Sequence, residues 1–60
     1  MMLDNSAALA AVQRLHGLPQ TKQVFVLSGP HRKYVLVWVL KDGSRRNLST
    51  DEEVLHALSN

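Results

Sequence analysis

The sequence holds no cysteine, only three glycines and two prolines, and a single residue each of tryptophan, tyrosine and phenylalanine. Without cysteine there is no disulfide and no thiolate metal site. A cysteine-free chain suits a reducing compartment, and a cytoplasmic location is expected. The longest apolar run, Val35 to Leu40, is far shorter than the ~20 residues a helix needs to cross a bilayer, so no membrane partner is expected. The stretch from Met1 to Gly17 carries Asp4 and Arg14 and has no basic start leading into an apolar run. It does not read as a signal peptide. The glycines are isolated, so no glycine-rich phosphate loop is present, and no serine sits in a nucleophile-elbow motif.

What remains is a chain of 60 residues, 45% apolar and 20% charged. Those are globular proportions, and residues 1–60 are expected to form one small α+β domain. A domain of this size buries only about 60% of the surface its unfolded chain exposes. Its net stability is expected at roughly 3–5 kcal/mol, with good packing or a partner chain as the remaining supports.

Charge is unevenly spread. Between Lys22 and Arg46 stand six cations (Lys22, Arg32, Lys33, Lys41, Arg45, Arg46) and one acid, Asp42. Residues 51–60 carry Asp51, Glu52 and Glu53 and no lysine or arginine. The cationic segment is able to attract phosphates. Equally, strand-end cations discourage edge-to-edge pairing.

Periodicity predicts five elements. A helix over about Ser6–His16 has Asp4, Asn5 or Ser6 as N-cap, with Ala8, Ala11, Val12 and Leu15 on one stripe. Gly17 is expected to end it in the left-handed conformation. A strand follows over Lys22–Leu27, then a turn at Ser28-Gly29-Pro30-His31 and a long strand over Arg32–Lys41. Asp42-Gly43 marks a hairpin leading to a short strand, Arg45–Leu48. The last helix, Asp51 to about Leu58, has capping-box spacing between Thr50 and Glu53, with Val54, Leu55 and Leu58 as its buried side. The fold class is α-β-β-β-α, a three-stranded antiparallel meander with both helices packed mainly on one face.

Hairpin register assigns side chains to faces. A two-residue Asp42-Gly43 loop sets Trp38 opposite Asn47, and an even loop at Gly29-Pro30 sets Phe25 opposite Tyr34. One face then holds Val24, Val26, Val35, Val37, Val39 and Leu48. The other holds Phe25, Leu27, Tyr34, Leu36, Trp38 and Leu40, with Arg32 and Arg45. A three-residue loop at Gly29-Pro30 would move Phe25 and Leu27 to the first face. The valine face is expected to take the alanine-rich helix, leaving the aromatic face open as a large apolar patch. The alternative is one helix on each face.

The candidate chemistry is sparse. His16, His31 and His56 share no metal-ligand spacing, so neither a metal nor a cofactor is expected. Asp51, Glu52 and Glu53 match the dipole of a helix start. A basic α-β-β-β-α chain of this length, with Gly29-Pro30-His31 before the second strand and Asp42-Gly43 after it, resembles the HicA family of toxin ribonucleases over about half its length. That resemblance implies a double-stranded-RNA-binding-like fold and a general acid/base role for His31.

The leading expectation is nonetheless a non-enzymatic interaction module, of regulator or inhibitor type, that binds a protein partner or its own copy as a homodimer. Its partner-binding residues are expected to be Phe25, Arg32, Tyr34, Leu36, Trp38, Leu40 and Arg45. The second is a nucleic-acid-binding domain using the same face, or phosphate contacts from Lys22, Lys41, Arg45 and Arg46 at the sheet ends. Catalysis at His31 is the third.

Overall fold

The chain runs helix α1 (Asn5–His16), strand β1 (Thr21–Ser28), a 3-10 turn (Pro30–Arg32), strand β2 (Tyr34–Leu40), strand β3 (Arg45–Leu48) and helix α2 (Asp51–Ser59), in a computed structural model that describes residues 2–59. The strands form one antiparallel sheet in the order β1-β2-β3. Both helices pack on the same face, into one apolar cluster. This is the α-β-β-β-α meander expected from periodicity.

Local chemistry explains the helix ends. The Asp4 carboxylate accepts the Ala7 N–H at 2.8 Å, which satisfies one of the donors a first turn leaves unpaired. At the other end, the Gly17 N–H bonds the Arg14 carbonyl at 3.1 Å. Gly17 has φ −73°, so it ends the helix in a right-handed conformation, not the left-handed one expected. The second N-terminus is a capping box. The Thr50 hydroxyl accepts the Glu53 N–H at 3.1 Å, while the Glu53 carboxylate accepts the Thr50 N–H at 3.2 Å and the Ser49 N–H at 2.9 Å.

Both hairpin registers differ from expectation, by one residue between β2 and β3 and by three between β1 and β2. Between β2 and β3, Leu36 pairs with Leu48, Trp38 with Arg46 and Val39 with Arg45. The loop is three residues, Lys41-Asp42-Gly43. It closes with the Gly43 N–H on the Leu40 carbonyl and the Leu40 N–H on the Ser44 carbonyl, each at 2.9 Å. Gly43 takes φ 93°, the left-handed position that follows a type I turn in a three-residue hairpin. Between β1 and β2 the loop is five residues, 29–33, closed by the Gly29 N–H on the Lys33 carbonyl at 2.7 Å. Val24 therefore pairs with Trp38 and Phe25 with Val37.

These odd loops exchange the two sides of β2 relative to β1 and β3. Val24, Leu36, Trp38 and Leu48 are buried beneath the helices with Ala8, Ala11, Leu15, Val54 and Ala57. Tyr34, Leu40, Val12 and Leu58 pack at the margin of that core. Val35, Val37 and Val39 stand on the uncovered side with Phe25, Leu27 and Arg45, while Val24, Val26 and Leu48 lie on the helix side as expected. The physical reason is volume: the helices present three alanines to the sheet, and protein interiors tolerate few voids. Large side chains such as Trp38 and Leu36 fill the space that alanine leaves. Leu55, expected on the buried side of α2, is 57% exposed, and Ala57 takes the inner position.

Burying Trp38 requires a partner for its indole N–H. Trp38 Nε1 donates to Thr21 Oγ1 at 2.8 Å, and the Thr21 hydroxyl donates to the Leu15 carbonyl at 2.6 Å. Thr21 reaches this side of the sheet because the register shifts between Thr21 and Gln23. That bulge makes Lys22 the extra residue and turns Thr21 toward the helix-covered face.

The N-terminal segment completes the core. Leu3 is 1% exposed. It accepts the Tyr34 N–H at 2.9 Å and donates its own N–H to the Ser49 carbonyl at 3.2 Å.

Two predictions follow from these contacts. Thr21→Val should cost about 1–3 kcal/mol, because it strands the indole N–H, and Thr21→Ser should cost much less. Equal losses in urea titrations of the two variants would show that the hydroxyl contributes nothing. Hydrogen bonds from the Ser49 N–H, the Ser49 hydroxyl and Thr50 lower the Glu53 pKa below its ordinary 4.5. Ionised Glu53 therefore stabilises the fold above pH ~4.5, and that contribution is lost as pH falls through the lowered folded value. Glu53→Gln should flatten the acid side of a melting-temperature profile; an unchanged slope would refute the linkage.

Candidate partner-binding surface

The uncovered sheet face is built by alternation. Phe25 and Leu27 of β1, Val35, Val37 and Val39 of β2, and Arg45 and Asn47 of β3 share it, with Gln23 at the β1 end. Phe25 pairs with Val37, and Val37 with Asn47, forming a row across the centre. Phe25 is 49% exposed and Leu27 52%. None of the five apolar residues belongs to the core or packs against it. The face carries one cation, Arg45, and no acid. Lys33, extended at the entry to β2, stands two residues before Val35.

Of the residues expected to bind a partner, Phe25 and Arg45 lie on this open face. Trp38 and Leu36 are buried, at 4% and 0% exposure. Tyr34 and Leu40 sit on the helix-covered side, half-buried. An open face centred on Trp38 is therefore overturned, because the alanine helices need that bulk beneath them. Arg32 lies in the loop before β2 and not in a strand. Sequence reasoning missed Val35, Val37 and Val39 as surface residues. The signal was Lys41-Asp42-Gly43, which fits a three-residue turn ending in a left-handed glycine.

The four cations expected at the sheet ends do gather at one end. Thr21 pairs with Leu40, Val39 with Arg45, and the Lys41 N–H bonds the Gln20 carbonyl at 2.9 Å. Lys22, Lys41, Arg45 and Arg46 all stand beside these pairs, yet Arg45 and Arg46 point to opposite faces. Lys41 and Arg46 border a groove of about 440 Å³ floored by Trp38 and Leu40, with Gln20 and Asp42 at its rim. The Asp42 carboxylate accepts both the Ser44 hydroxyl and the Ser44 N–H, at 2.6 and 2.8 Å. Those bonds lower its pKa.

His31 occupies the loop between β1 and β2 and is exposed. No group of three or more histidines and carboxylates able to hold a metal is found among the described residues. His31 and Arg32 both adopt left-handed backbone, φ 57° and 58°. Compared with family models, with curated proteins and with solved structures, the chain matches none.

Left-handed backbone costs an L-residue roughly 1–2 kcal/mol, more than the ~0.5–1 kcal/mol that glycine loses through its freer unfolded chain. Arg32→Gly should therefore raise the thermal midpoint by a stabilisation of up to ~1 kcal/mol. A lower midpoint would mean that the Arg32 side chain supports the loop by more than its backbone strain.

Proposed function

We propose that the chain is a non-enzymatic interaction module, of regulator or inhibitor type, that docks a protein partner on its open sheet face. The observation that carries this reading is the row of Phe25, Val37 and Asn47 flanked by Leu27, Val35 and Val39, none of them covered by either helix. A domain this small has little apolar surface to spare. Leaving five apolar side chains on one face is what an interaction site requires. The face and its margin carry Arg45 and Lys33 and no acid, so the complementary partner has an apolar centre and an acidic rim.

The second reading is nucleic-acid binding. It draws support from the gathering of Lys22, Lys41, Arg45 and Arg46 at one sheet end. Against it, only one aromatic residue, Phe25, faces outward, and base-stacking platforms use several. Catalysis at His31 rests on that exposed histidine alone.

The test compares wild type with Val37→Lys in binding to whatever wild type retains, after far-UV dichroism has established that both are folded. Loss of affinity by about 30-fold or more, the scale of a hot-spot residue worth ~2 kcal/mol, is expected. Wild-type binding should change little between about 50 and 200 mM salt, whereas phosphate contacts weaken steeply over that range. Equal binding by the two proteins would overturn the docking face, and a steep salt dependence with an oligonucleotide probe would favour the second reading.

A further inference from the structure

The two edges of the sheet are unlike. The β3 edge is four residues long, carries Arg45 and Arg46, and is followed by Met2 bridged to Thr50. Short length and charge are the usual protections of a strand edge. The β1 edge has neither beyond its bulge. From Val24 to Ser28 it holds no charge and no proline, and no other element of the described residues pairs with its outer side. Three consecutive residues there, Phe25, Val26 and Leu27, are each about half exposed. Alternation sends Phe25 and Leu27 to the open face and Val26 to the helix side. An added strand would therefore meet apolar surface on both faces.

On the helix side, Val26 borders a groove of about 160 Å³ with Ala8, Leu9, Val12 and Tyr34. Leu9 is 61% exposed. A volume near 150 Å³ holds a benzene ring in an engineered cavity, so the groove has room for a branched aliphatic side chain.

We infer that the β1 edge pairs antiparallel with β1 of a second copy of this chain, joining two sheets into one of six strands. Charge selects this occupant. With the two-fold axis at Val26, Val26 faces Val26 of the second copy, Phe25 faces its Leu27, and Val24 faces its Ser28. No charged residue lies opposite another, and the two Lys22 residues stand at opposite ends of the joint. Stacking two open faces would instead cover the Arg45 of both copies on a face that holds no acid. The pairing keeps each residue on its own face, so the two docking surfaces become continuous, and the two Val26 side chains meet between the two α1 helices. A paired edge is isologous, as two-fold dimers are.

Molar mass by light scattering after gel filtration tests the pairing. Wild type should run at twice 6.7 kDa, and Val26→Lys, which places an inward charge on the edge, should run as a single chain with unchanged far-UV dichroism. Hydrogen exchange on wild type gives a second readout that needs no variant: amides between Val24 and Ser28 should gain protection as concentration rises. A single-chain mass for wild type at ~1 mM, the weakest affinity worth naming, would overturn the inference. So would absence of concentration-dependent protection in that segment. A dimer that survives Val26→Lys but dissociates on Val37→Lys would place the contact on the open face instead. Because Val37 lies on the central strand and Val26 on the edge, loss of dimerisation and loss of partner docking are read separately.

Discussion

The structure turns on the indole N–H of Trp38. A tryptophan is the largest side chain available to so small a core, and its polar atom needs a partner once it is covered. That partner is Thr21, and the Thr21 hydroxyl in turn bonds the Leu15 carbonyl, which also accepts the Leu18 N–H in the turn that ends α1. One short chain of hydrogen bonds thus ties the central strand to the edge strand and both to the end of α1. The bulge at Lys22 is what allows it. With regular alternation and no bulge, Thr21 would share the face of Gln23, Phe25 and Leu27 and lie on the far side of the sheet from Trp38.

Once Trp38 is committed to the helix side, the rest of the sheet follows by alternation. Leu36 and Leu40 join Trp38, while Val35, Val37 and Val39 turn outward. The alanines of α1 and α2 permit the arrangement, because their small side chains leave depth for the large residues of the central strand. Among the described residues no buried side-chain nitrogen or oxygen lacks a hydrogen-bond partner. The core is therefore apolar apart from the hydrogen bonds that Trp38 requires, a sound arrangement for a domain with only a few kcal/mol to spare.

The same economy accounts for the functional reading. Two helices and three strands supply one layer of helices and one of sheet, so one sheet face has no covering layer. Of its residues, the outward valines combine a strong preference for strands with apolar surface, and only Arg45 and Asn47 of β3 give that face a polar side. Three of the five acids are gathered elsewhere, at the start of α2, where Glu53 caps the helix. The charge asymmetry of the sequence thereby becomes a spatial one, with an acid-free sheet face on one side of the fold and an acidic helix start beyond β3.

How much of this was legible beforehand follows from the range of the forces involved. Helix and strand positions depend on neighbours within a few residues, so periodicity, the Asp4 cap and the Thr50–Glu53 box placed the elements and the α-β-β-β-α order from sequence alone. Phe25 and Arg45 were also placed correctly among surface residues. The two sides of β2 were not, because an odd hairpin loop in place of an even one exchanges the sides of a strand. Asp42-Gly43 is compatible with a two-residue turn or, with Lys41, a three-residue one, and local sequence does not separate them. Packing does: Trp38 and Leu36 fill the depth above the helix alanines, and Thr21 is within reach of the indole only in the observed register. Sequence by itself determined the elements and their order. Tertiary structure alone decided which face the side chains of β2 occupy, because that choice rests on contacts between residues far apart in the chain.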